Sequence, residues 1–122
     1  MPFIGKIARP APTFDHQVGT FDVTEELILI DEDHAFVKKE DQVVGIVCLD
    51  QLLEKYKSAD ISDTEIVIFA EPLFSVDEYE DKLKALGLML DKNIEHIAVT
   101  NKAGVFVGIA SMEQLKKNMS AC

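Results

Sequence analysis

The chain has 122 residues, 48% of them hydrophobic and 28% charged, which is the balance of one compact globular unit and excludes both a disordered chain and two large independent domains. Its formal net charge of -10, with no basic stripe interleaved with aromatics, speaks against a nucleic-acid partner, because a phosphate backbone would be repelled. No apolar run approaches the roughly 18 residues that span a bilayer, and the opening MPFIGKIARPAP has neither a signal-like apolar stretch nor a small-residue cleavage site, so an unprocessed cytoplasmic protein with no membrane partner is expected.

Along the chain, Phe14, Val18, Phe21 and Ile28 fall roughly on one helical face. Gly19 and the β-branched Thr20, Val23 and Thr24 lower helix propensity there, so a broken segment is predicted, with regular helix near Thr24 to Leu29. FVKK and VVGIVC are expected as paired strands and LDQLLEKY as a helix, after which the polar, turn-rich KSADISDTE marks a boundary. EIVIFA, β-branched and aromatic and stopping at Pro72, predicts a strand. Ser75 and Glu78 have capping-box spacing before VDEYEDKLKALGLMLDK, where Tyr79, Leu83, Leu86 and Leu90 predict an amphipathic helix ending near Asn93, its apolar face turned to the core or to a dimer interface. HIAVTN and VFVGIA then form a hairpin around Lys102 to Gly104, and Ser111 with Gln114 makes another capping box, opening a last helix through about Asn118.

These elements say the same thing twice. Gly45 and Gly108 lie 63 residues apart, and upstream His34 with His96 and Val37 with Val99 lie 62 apart, which places one inserted residue in the turn between. The offset of 62 continues through Ile4 and Ile66, Ala8 and Ala70, Pro10 and Pro72, and Asp15 and Asp77, more identities than composition alone supplies over about 40 positions. The expected fold class is therefore α/β (α+β): two related units, residues 1–61 and 62–122, each strand, helix, strand, strand, helix with a small mixed sheet.

IEHIAVTNKAGVFVGIASMEQL and, more loosely, DEDHAFVKKEDQVVGIVCLDQL resemble the strand, turn, Gly-containing strand and helix of CBS domains, and their tandem occurrence resembles the CBS pair called a Bateman module. The resemblance covers about Ile4 to Asn118. It implies a pseudo-twofold pair of units, clefts between the copies that hold adenosine-containing ligands, and regulation of an enzyme, channel or transporter rather than catalysis. The ligand-lining positions it implies are Ile7, Ala8, His34, Ala35, Cys48 and Gln51 from the first copy, and Ile68, Phe69, Ala70, His96, Ile97, Ala98, Ser111 and Gln114 from the second.

One feature departs from that family pattern. Its motif runs Gly, two apolar residues, Ser or Thr, two residues, Asp, and here Gln51 and Gln114 stand at the Asp position, where the family's carboxylate accepts from ribose hydroxyls. An amide accepts only neutrally, whereas a carboxylate accepts with charge. Two functions remain open: a regulatory sensor of AMP, ADP, ATP or S-adenosylmethionine type compounds, with no required cofactor, or an interaction and dimerisation module that has lost nucleotide binding. Ser111 is a good helix cap, whereas Cys48 caps poorly and packs as a small hydrophobe, so the two copies should bind unequally. Cys48 and Cys122 are expected as free thiols. His34 and His96 start strands with no further ligands at fixed spacing, so they are expected at the surface or an interface and not on a metal. No nucleophile motif or phosphate loop is present, so no enzymatic activity is expected; a homodimer and an effector protein are the expected partners.

Overall fold

The computed structural model describes residues 3–57 and 62–120; Cys122 lies outside them. The chain forms two compact units, one of Met1–Pro10 with Phe74–Cys122 and one of Ala11–Leu73. We call them the Ser111 unit and the Cys48 unit. The sequence repeat divides at 61/62, but the units do not: Ile4 is wholly buried in the Ser111 unit and its repeat mate Ile66 in the Cys48 unit. Each repeat thus lends its opening segment to the other's core.

In the Cys48 unit the order is β1 (Thr13–Asp15), α1 (Thr20–Ile30), β2 (His34–Lys39), β3 (Gln42–Cys48), α2 (Leu49–Lys55), a 3₁₀ helix (Ile66–Phe69) and β4 (Glu71–Pro72). The sheet runs β1-β2-β3-β4, parallel between β1 and β2 and antiparallel elsewhere. The Ser111 unit has a 3₁₀ helix (Ile4–Lys6), β5 (Ser75–Asp77), α3 (Lys82–Lys92), β6 (His96–Thr100), β7 (Phe106–Ser111) and α4 (Met112–Ser120). Its sheet runs β5-β6-β7 with the same parallel then antiparallel pairing, and Arg9 bridges to Ile109 where the other unit has β4.

Hairpin turns explain the slip from 62 to 63. Glu40 and Asp41 both take positive φ, 51° and 65°, the pattern of a two-residue type I′ turn between β2 and β3. The β6–β7 turn is longer, and Gly104 at φ 79° carries the left-handed position. The extra residue therefore sits in the turn, and both hairpins shift register at the equivalent step, Val37/Lys38 and Val99/Thr100.

Three sequence expectations fail. The run EIVIFA does not form a strand; Ile66–Phe69 is a 3₁₀ helix that buries Ile66, and only Glu71–Pro72 pairs with β3. Ser75 caps nothing, because Ser75–Asp77 pairs in parallel with Ala98–Thr100, and α3 starts later with Asp81 as its cap, the carboxylate accepting from the Leu83 N–H at 2.7 Å. With that start α3 buries Ala85 and Met89, while Leu83 and Leu90 on the apolar face are 57% and 62% exposed, as is Tyr79 ahead of the helix, so of the two places expected for that face the core takes only part of it.

The third is α1, which is regular from Thr20 to Ile30, while Phe14 belongs to β1. Its low-propensity residues lie on the buried side. Val23 and Leu27 are wholly buried, Thr24 Oγ1 donates to the Thr20 carbonyl at 2.8 Å, and Thr20 Oγ1 donates to the Thr64 carbonyl at 2.7 Å. Burial with satisfied hydroxyls outweighs a few tenths of a kcal/mol per residue of propensity.

Candidate functional site

In each unit the second hairpin strand runs straight into a helix, and a glycine in that strand lies under a crossing backbone. A Cβ on Gly108 would stand 2.5 Å from the Arg9 carbonyl oxygen, and one on Gly45 would stand 2.7 Å from the Glu71 carbonyl oxygen. Any side chain there would push the crossing segment off the sheet. Arg9 and Ile109 exchange two backbone hydrogen bonds of 2.9 Å, and Glu71 pairs with Ile46 at the matching register. Arg9 and Glu71 are thus structural equivalents, 62 residues apart.

Ser111 heads α4 and closes the predicted capping box. Its Oγ accepts from the Gln114 N–H at 3.1 Å, and Gln114 Oε1 accepts from the Ser111 N–H at 3.0 Å, so two otherwise orphaned helix donors are satisfied. The Gln114 carbonyl oxygen is therefore engaged inside its own helix turn. Across the hairpin His96 pairs with Ser111, and at 6% exposure it is buried, so of the surface and interface places expected for it the surface is excluded.

The Cys48 unit repeats the backbone without the cap. His34, half-buried, pairs with Cys48 across the hairpin, and Cys48 makes no side-chain cap hydrogen bond. Gln51 instead donates from Nε2 to Glu71 Oε1. Burial pushes the Cys48 thiol up; the backbone N–H groups of Asp50 and Gln51 oppose this, while the negative charges of Asp50 and Glu71 add to it.

The fourteen predicted site residues divide by unit, not by repeat. Ile7, Ala8, His96, Ile97, Ala98, Ser111 and Gln114 share one unit; His34, Ala35, Cys48, Gln51, Ile68, Phe69 and Ala70 share the other. Ala35, Ile97 and Ala98 are wholly buried, whereas Ile68 is 67% exposed. Sequence reasoning missed Arg9 and Glu71. The signal was present, since the identical pairs Ala8/Ala70 and Pro10/Pro72 bracket them at the same offset. Among the described residues no cluster of three or more His, Cys, Asp or Glu could hold a metal ion, and no helix is long and apolar enough to cross a membrane.

A family model for the CBS domain matches residues 61–121, half of the chain, and those residues include the whole Gly108–Gln114 turn. The chain belongs to the CBS domain family. A curated relative, an uncharacterized protein of Methanopyrus kandleri, is 27% identical over 82 residues, which is 65% of this chain and 42% of the relative. The chain therefore spans about two fifths of that relative's length.

Solved CBS structures share the fold. CBS domain protein PAE2072 from Pyrobaculum aerophilum, complexed with AMP, superposes with a TM-score of 0.76 at 19% identity over 98% of this chain and 99% of that one. The CBS domain pair of protein MJ0100, in complex with 5′-methylthioadenosine and S-adenosyl-L-methionine, gives 0.76 at 18% over 98% and 96%. The CBS domain of a bacterial CNNM/CorC family Mg²⁺ transporter, in complex with ATP, gives 0.77 at 17% over 97% and 87%. The two-unit architecture is thus that of a CBS pair.

Proposed function

We propose that this CBS pair is a regulatory module that binds an adenosine-containing small molecule, with the Ser111 unit as the stronger site. The observation that carries the proposal is the family match across Gly108–Gln114, where the chain keeps a hydroxyl at the head of α4 beside a crossing backbone segment. The bound AMP, ATP and S-adenosylmethionine of the similar CBS structures supply the ligand class. CBS domains are generally regulatory and not catalytic, so the output is control of an effector protein.

A second reading has its own support. Gln114 Oε1 is held by its own cap and Gln51 is held by Glu71, so neither amide is poised as the family's ribose-accepting carboxylate is. That arrangement suits a module kept for interaction alone, and exposed Leu83 and Leu90 on α3 with Ile28 and Leu29 on α1 suit a homodimer under either reading.

Thermal shift and calorimetry with adenosine, AMP, ADP, ATP, S-adenosylmethionine and NADH test both readings, since a ligand that binds only the native state must raise its stability. Binding that Ser111→Ala weakens more than Cys48→Ala supports the sensor. No binding by any compound leaves the interaction module, and sedimentation as a monomer at high micromolar concentration would remove the homodimer.

A further inference from the structure

The equivalent positions flanking the two sites carry opposite charges. Arg9 lies against β7 at Ile109, and Glu71 lies against β3 at Ile46, each with its carbonyl over the motif glycine. In the Cys48 unit the Glu71 carboxylate reaches the first turn of α2, because it accepts from Gln51 at the motif's last position. Negative charge is thus built into that site at the place where the Ser111 unit has a guanidinium residue.

The surrounding charge follows the same division. The Ser111 unit holds eight Lys and Arg against seven Asp and Glu, and the Cys48 unit four against fifteen, so all of the chain's net negative charge resides in the Cys48 unit. Burial is the main reason the Cys48 thiol is raised, and the negative charges of Asp50 and Glu71 beside it add to that rise. A phosphate would be opposed there and less opposed in the Ser111 unit, where Arg9 adds a positive charge.

We propose that the two units sort adenosine-containing ligands by charge, the Arg9 and Ser111 site taking a phosphorylated adenosine and the Glu71 and Gln51 site taking a neutral or sulfonium-bearing one. This rests on the ligand-binding reading above, but it makes a separate demand: reversing one charge must change the ranking of ligands, not merely their affinity. Backbone hydrogen bonds hold the main chain at Arg9 and Glu71 in place, and neither side chain is part of a buried core.

The test is calorimetry on the whole chain with two matched pairs of probes. Adenosine and AMP differ by a phosphate; S-adenosylhomocysteine and S-adenosylmethionine differ by one methyl group and one positive charge. Arg9→Glu should cut AMP affinity about tenfold and leave adenosine within about twofold, the scale of one nearby charge partly screened by solvent. Glu71→Arg should cut the preference for S-adenosylmethionine over S-adenosylhomocysteine by about as much, and should add AMP binding at the Cys48 unit. Arg9→Gln and Glu71→Gln should show the same trends at smaller size, and they serve if a reversal disturbs the circular-dichroism spectrum. Adenosine compounds that bind wild type with both ratios unmoved by the substitutions would overturn charge sorting alone. Wild type that binds none of the four would overturn the ligand-binding reading together with it.

Discussion

The Ser111 unit closes the turn into its last helix with two reciprocal hydrogen bonds, and the Cys48 unit builds the same turn without a side-chain cap bond. Both units nevertheless place a histidine opposite the cap residue, a glycine under a crossing carbonyl and a wholly buried leucine on the following helix, Leu115 or Leu52. The backbone of this turn is therefore held by core packing and strand pairing, and the side-chain cap is free to vary. What varies with it is the side-chain chemistry at the turn: a hydroxyl engaged by Gln114 in one unit, a thiol near Glu71 in the other.

The comparison is most severely tested by the paired leucines. If core packing holds both turns, Leu52→Ala and Leu115→Ala should each cost about 2–5 kcal/mol in urea or thermal unfolding, values usual for truncating a buried leucine. A cost below about 1 kcal/mol for either would mean that its unit is held by something other than this core.

Caps should separate the units. Ser111→Ala removes the oxygen that accepts from Gln114 and should cost about 1 kcal/mol, whereas Cys48→Ala removes no cap bond, and Cys48→Ser should gain part of that amount. Chemical denaturation of the three variants checks this, and equal costs for Ser111→Ala and Cys48→Ala would erase the distinction between the turns.

The smallest effect is expected at alkaline pH. The folded Cys48 thiol titrates above the ordinary value of 9.0, chiefly because burial disfavours the thiolate. Its contribution to stability is therefore complete below pH 9 and lost as pH rises through the raised folded value. In a Cys122→Ser background, the stability difference between Cys48→Ser and its parent should be constant at neutral pH and widen in favour of the variant above about pH 9, since serine does not titrate there. A difference that stays flat to pH 10 would show that the thiol is no less solvated in the fold than in the unfolded chain.

How much of this was legible in the residues depends on how local each cause is. The Ser111–Gln114 box, the paired hairpins, the inserted turn residue and the helix end at Asn93 each rest on contacts within a few positions, and the sequence determined them. The repeat offset also located the two glycines and the two histidines. What it could not show was which core each opening segment joins. Ile4 and Ile66 are apolar in either arrangement, and only the tertiary structure places Ile4 with Met89 and Leu115, and Ile66 with Leu27 and Leu52. The same holds for α1 and α3. Propensity argued against a regular helix through Thr20 and Thr24, and spacing put Leu83 and Leu90 on a face turned to the core or to a dimer interface, yet the buried side is decided by how a helix lies on its sheet. Apolar burial acts over area and at any sequence distance, so it overrides short-range preferences wherever the two disagree. Arg9 and Glu71 belong to the same class: each charge is written in the sequence, but the crossing segments that carry each one to a motif glycine exist only in the folded chain.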